Sequence, residues 1–289
     1  MVPKGTKRGL LYRLSAGGLA LILGSSVVVP AQASGLLEEL KTAGSIKVGL
    51  ANQPPYSGLD PDGSVSGFVP TLIKEIMGRL GVPKVEGFVA TYGELIPGLQ
   101  AGRWHMIGAS FRLTKERCSQ VAFADPVTFD GGAIAYVPGE ADRPDDSLAA
   151  VAKTGAQIGI LQGSYLLNSA QSAGIDMAKI AQFPNNPSLI DGLLANRVPL
   201  VVSTNASLLG LKNARSDAFE IVYPLSDDPP TGSGPAFRPQ DTDLHDAFQK
   251  ELRAMRASGE LDKMAAEFSF APPPDFLADA TAESVCASF

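Results

Sequence analysis

Cysteine, histidine, tryptophan and basic charge are all scarce in this 289-residue chain. It holds two cysteines, two histidines and one tryptophan, and 24 Lys+Arg stand against 30 Asp+Glu for a formal charge of −6. Lys4, Lys7, Arg8 and Arg13 meet no acid in the first 33 residues, so residues 34–289 hold 20 basic against 30 acidic groups, a net of −10. A body this acidic has no basic stripe for a phosphate backbone, which argues against a nucleic-acid partner. Two cysteines cannot hold zinc alone, and neither His105 nor His245 stands at ligand spacing to them. The sequence also lacks Gly-x-Ser-x-Gly, His-Glu-x-x-His, phosphate-loop and Gly-x-Gly-x-x-Gly patterns. No enzyme chemistry is signalled, and no cofactor is implied.

What is present is a globular composition, 45% hydrophobic and 19% charged, long enough for one large or two smaller cores. The N-terminus is basic. An uncharged run from Leu14 to Pro30 follows, and then Ala31-Gln32-Ala33. That order is a secretory signal with a small-x-small cleavage site, and cutting is expected after Ala33. As a membrane anchor the run is too short and too broken by Gly17, Gly18, Gly24 and Pro30. The mature protein is expected to be soluble, monomeric and exported to the periplasm, where thiols oxidise. An even cysteine count there predicts a Cys118–Cys286 bridge, the alternative being two free thiols.

Strand and helix patterns alternate twice. Ile46–Leu50 and Val85–Val89 read as strands, Phe68–Leu80 has helical apolar spacing, Tyr92 starts a helix, and Met106–Ala109 reads as a buried strand. The alternation restarts at Gln157–Ile160, with helices over Leu167–Ala173 and Ser188–Ala195 and a strand over Val198–Val202. Two α/β units are therefore expected, each a doubly wound sheet with strands buried on both faces. The expected division is a first lobe of residues 34–137 plus 233–289 and a second of 138–232, joined by two hinge crossings. Two helices close the chain, over Asp243–Met255 and Glu260–Phe268, and the Pro-rich tail from Ala271 is expected to be loosely ordered apart from Cys286. In open α/β sheets ligands sit beyond the carboxyl ends of the strands. The loops there carry arginines, tyrosines and small hydroxyl residues such as Ser110, but no paired base and nucleophile.

Five stretches then carry a resemblance. They are Ile46-Lys47-Val48-Gly49-Leu50 with Pro54-Pro55-Tyr56, Pro97 to Arg103, Leu113-Thr114-Lys115-Glu116-Arg117, Val121 to Pro126, and Ser258 to Lys263. Together they resemble the extracellular solute-binding proteins of ABC importers, of the polar amino-acid type. Ala51 to Tyr56, Tyr92 to Arg103, Cys118 directly after Arg117 and a second cysteine near the C-terminus look most like the ectoine/5-hydroxyectoine-binding branch. The resemblance implies a two-lobed periplasmic-binding-protein fold of type II, closing by a hinge on one small zwitterionic or carboxylate-bearing solute. It also implies delivery to an ABC permease in the inner membrane.

Residue by residue, it implies that Arg117 holds the ligand carboxylate, which suits the guanidinium fork. It implies that Tyr56 and Tyr92 pack around a delocalised cation, and that Gly163-Ser164-Tyr165 offers N–H and hydroxyl groups at a helix start. Three positions depart from the pattern. Gln53 stands where the ectoine branch has a carboxylate, Arg112 where it has an aromatic, and Thr204 where ordinary amino-acid binders have an aspartate. Each change adds positive or removes negative charge, so either Arg112 points away from the cleft or finds an acid such as Asp130, or the ligand carries more negative charge than ectoine. Trp104 and His105 are read as structural. The leading ligand is ectoine or 5-hydroxyectoine. The alternatives are an acidic or other amino-acid-like solute, or a periplasmic dehydratase on the same scaffold.

Overall fold

A computed structural model describes residues 35–215 and 218–288, together with isolated positions 1, 5 and 9. The expected signal segment and its cleavage site therefore lie outside the described residues. Strands run over Ser45–Leu50 (β1), Gly58–Leu59 (β2), Val65–Ser66 (β3), Lys84–Val89 (β4), Met106–Arg112 (β5), Ala122–Phe123 (β6), Thr128–Asp130 (β7), Gly132–Tyr136 (β8), Ile158–Leu161 (β9), Ile180–Phe183 (β10), Leu200–Thr204 (β11), Glu220–Val222 (β12) and Thr231–Phe237 (β13).

They form two main sheets and a small β2–β3 hairpin. The first sheet has the order β4-β1-β5-β13-β6, with β7 also on β13. Its β4, β1 and β5 are parallel, and β13 returns antiparallel. The second has the order β10-β9-β11-β8-β12, with β10, β9 and β11 parallel and β8 antiparallel to β11.

Each sheet is buried on both faces, which is why its strands read as near-continuous apolar runs. On one face of the first sheet, helix Phe68–Arg79 packs Leu72, Ile73, Ile76 and Met77 with Leu244, Phe248, Leu252 and Met255 of helix Thr242–Ala257. On the other, helix Tyr92–Gln100 packs Leu95, Ile96 and Leu99 around Trp104. Trp104 is core, and its indole N–H donates to the carbonyl of Leu95 at 3.1 Å. His105 is tied locally, its Nδ1 accepting from the backbone N–H of Lys47 at 3.1 Å. Both residues are structural, as expected. A Cβ at Gly98 would overlap the Trp104 ring, so only glycine lets that helix lie so close.

The second sheet is sandwiched the same way. Leu148, Val151, Leu166 and Ala170 cover one face, and Leu189, Ile190, Leu193, Leu208 and Leu211 cover the other.

Two expectations change. The run 133–137 was placed with the first lobe, but Ile134 pairs with both Val202 and Val222, so β8 is a strand of the second sheet. One crossing therefore lies at Gly131, between β7 and β8. The return lies in the 223–230 segment between β12 and β13, where the boundary was expected after residue 232. An apolar run shows that a strand is buried, not which sheet buries it. The tail is also ordered: Ala280 and Val285 are buried, and helix Ala282–Ala287 is capped by Thr281. The backbone N–H of Ala282 donates to Asp125 at 3.0 Å, and the Cys118–Cys286 bridge is formed with its Cα atoms 5.9 Å apart.

Candidate functional site

Arg117 is placed by a local device. Thr114 caps the short helix Lys115–Cys118, its hydroxyl accepting from the backbone N–H of Arg117 at 3.3 Å, and the bridge through Cys118 pins the helix end. The side chain turns inward with 9% of its surface exposed. Its guanidinium lies 3.8 Å over the Phe111 ring and donates to the carbonyls of Arg112 at 3.1 Å and Gly163 at 3.2 Å. Among the described residues it has no ion-pair partner. Burial pulls its pKa down to about 10, so the group is still cationic at neutral pH. A buried cation held only by carbonyls is costly, and an arriving carboxylate lowers that cost.

The bond to Gly163 crosses from the first lobe to the second. Gly163 has φ +69° and follows β9, and Ser164 then caps helix Tyr165–Ser172 by accepting from the N–H of Leu166 at 3.3 Å. A Cβ at Gly163 would land on the backbone nitrogen of Gly93, at the start of helix Tyr92–Gln100. The lobes thus meet backbone to backbone, and the cleft is closed.

Nine of the ten expected site residues line one cavity between the lobes: Gln53, Tyr56, Tyr92, Ser110, Arg112, Arg117, Ser164, Tyr165 and Thr204. Gly163 is the tenth and reaches it through Arg117. The same cavity also gathers Asp130, Leu166, Ser203 and Ser233, none of which was proposed as a site residue. Its volume is about 20 Å³, room for about one water. Tyr56 is 1% exposed, packs at a tilt against Phe270 with ring centroids 4.8 Å apart and donates its hydroxyl to Asp130. Tyr92 donates to Gln53 Oε1, whose amide donates in turn to Thr204 Oγ1 at 3.3 Å. Burial raises the pKa of Tyr56, Tyr92 and Tyr165, so all three hydroxyls stay protonated at neutral pH. Ser110 shares a 2.6 Å hydrogen bond with Thr128.

Arg112 faces the cavity, but its expected acid is not the one it finds. It meets Asp130 only at the backbone carbonyl, at 3.4 Å; its carboxylate partner is Asp228, also at 3.4 Å. The Asp130 carboxylate turns instead to neutral donors, accepting from Tyr56, the Gly131 N–H at 2.8 Å and the Ala206 N–H at 2.9 Å. Arg112 completes its set with Tyr165 Oη at 2.7 Å and the Pro229 carbonyl at 3.2 Å, and lies 4.0 Å over the Tyr165 ring. Asp228 lies in the return crossing, 116 residues from Arg112, and no local pattern in the sequence could have named it. Two aspartates thus accompany the two arginines at the cleft.

Two α/β sheets, the first discontinuous in sequence, joined at two crossings and closed on a small polar and aromatic cavity, define a periplasmic binding protein of type II. The chain matches the bacterial extracellular solute-binding proteins, family 3, over residues 46–271, and belongs to that family. It is similar to a probable amino-acid ABC transporter periplasmic-binding protein, y4tE, of Sinorhizobium fredii, with 28% identity over 95% of each chain. A solved structure of EhuB in complex with hydroxyectoine is similar with a TM-score of 0.82 and 32% identity, over 88% of this chain and 98% of that one. The ancestral amino acid-binding protein AncCDT-1, a precursor of cyclohexadienyl dehydratase, is similar with a TM-score of 0.70 and 25% identity, over 80% and 98%. The chain is a solute-binding protein of the amino-acid ABC-importer type.

Proposed function

We propose that this protein captures a small zwitterion, ectoine or 5-hydroxyectoine first, and delivers it in the closed form to an inner-membrane ABC permease. The observation that carries the reading is Arg117, a buried guanidinium without an ion-pair partner among the described residues, set in a cavity walled by Tyr56, Tyr92 and Tyr165. One end of such a solute is a carboxylate, for which a guanidinium is the matching fork. The other is a delocalised ring cation, which gains about 0.5–2 kcal/mol from each well-placed aromatic face. The similarity to EhuB with its hydroxyectoine supports the same ligand class.

The protein acts as a monomer and is exported after cleavage following Ala33. N-terminal sequencing of the periplasmic form should begin at Ser34. As a binder rather than an enzyme, it should release its solute chemically unchanged after prolonged incubation, which NMR of the recovered ligand checks. A thermal-shift panel of ectoines, glycine betaine, proline, amino acids and dicarboxylates tests the ligand. The ectoines should give the largest shift; a shift with a dicarboxylate and none with either ectoine would refute the assignment.

A further inference from the structure

Four charged side chains meet at the cleft, and they do not share the same fate. Arg112 and Asp228 satisfy each other across 3.4 Å with 12% and 5% of their side chains exposed. Asp228 also accepts from the Gly132 N–H at 2.7 Å, Tyr165 Oη at 3.1 Å and Ser169 Oγ at 3.2 Å, so this pair is internally neutral and fully engaged. Two charges remain. Among the described residues Arg117 bonds only to carbonyls, and the Asp130 carboxylate accepts only from a hydroxyl and two backbone N–H groups. Both line the same cavity, share no partner and form no ion pair with each other. Gln53 and Thr204, which face the same space, are neutral and bonded to each other.

We infer that Asp130 sets the charge selectivity of the cleft, taking the cationic end of the solute whose carboxylate Arg117 holds. This rests on the zwitterion reading above. The cavity presents one positive and one negative group without an ion-pair partner among the described residues, so a ligand with one charge of each sign matches both. A dicarboxylate would bring its second charge against Asp130, and a carboxylate without a cation would leave Asp130 unanswered; both are disfavoured where water is excluded. Tyr56 serves this role twice. Its ring stands in the cavity wall, and its hydroxyl, with Gly131 and Ala206, fixes the carboxylate so that little ordering is left for binding.

The test uses protein expressed from the full-length gene and purified from the periplasm, wild type and Asp130→Asn, titrated calorimetrically. The ligands are ectoine, proline, glycine betaine and pyroglutamate, the last a ring carboxylate with a neutral amide nitrogen. Asp130→Asn should weaken zwitterion binding by about 30-fold or more, while pyroglutamate binding holds or tightens, so that the preference collapses. Should the asparagine variant not fold, Asp130→Ser is the second neutral replacement, small and still able to accept from Gly131 and Ala206. A wild type that prefers the zwitterion and a neutral variant that keeps the same preference would overturn the inference and leave the function standing. If proline or glycine betaine binds and the ectoines do not, the ligand assignment fails, and the preference measured with that zwitterion decides on Asp130.

Discussion

Replacing Arg117 by methionine separates a ligand-binding arginine from a structural one. The variant keeps the length and much of the apolar stem over Phe111, but removes the charge and the donors to Arg112 and Gly163. Truncating one partner of a buried, hydrogen-bonded charge pair costs about 2–5 kcal/mol, a loss in affinity of about 30-fold to several thousand-fold. The readout is thermal unfolding with and without ligand. At 100 times Kd, a ligand that binds only the folded form adds about 2.7 kcal/mol. For a domain of this size that is a rise of about 5–11 °C. At the same ligand concentration a 30-fold weaker site retains about 0.9 kcal/mol, or about 3 °C at most, and a thousand-fold weaker site retains almost nothing. Each variant is compared with its own ligand-free form, so a change in intrinsic stability does not obscure the result. At pH 7 the wild-type guanidinium is charged throughout, since burial lowers it only to about 10. A methionine variant that still gains more than about 5 °C from a carboxylate ligand would remove Arg117 from the binding site.

Three further outcomes are expected. Gly163→Ala places a methyl group on the Gly93 backbone and strains a residue at φ +69°, so ligand affinity should fall sharply while the scattering-derived radius of gyration stays at its open value with ligand present. Replacing both Cys118 and Cys286 by serine frees a tail bridged across 168 residues and should cost about 2–5 kcal/mol, read as a lower denaturant midpoint; an unchanged midpoint would deny the bridge a stabilising part. The third concerns pH. Burial raises the Asp130 carboxyl, against the bonds from Tyr56, Ala206 and Gly131 and the charge of Arg112. A raised carboxyl favours the unliganded fold below the ordinary aspartate value and loses that contribution as pH rises through the folded one. Zwitterion affinity should run the opposite way, falling on acidification as Asp130 loses its charge. Calorimetry that shows the same acid dependence in Asp130→Asn would disprove the link.

Much of the candidate site was legible through the family resemblance, because the stretches that carry it are local motifs. The Thr114-to-Arg117 cap, the Gly163-Ser164 turn and the Pro-Pro-Tyr56 loop are each set by neighbours in sequence, and their side chains meet in one cavity. The charge balance was not legible. Asp228 lies 116 residues from Arg112, and Asp130 is singled out only by what Tyr56, Gly131 and Ala206 do to it.

What the sequence by itself determined is what short-range physics controls. The scarcity of basic residues, cysteines and histidines set aside polyanion and zinc readings, and the helix and strand periods predicted two α/β units. Tertiary structure decided which sheet receives the 132–136 strand, since burial pattern is indifferent to partner. It also decided that an acidic body encloses a cleft with two arginines and two aspartates. The sign of a site depends on side chains brought together through space, and total charge does not record which of them meet.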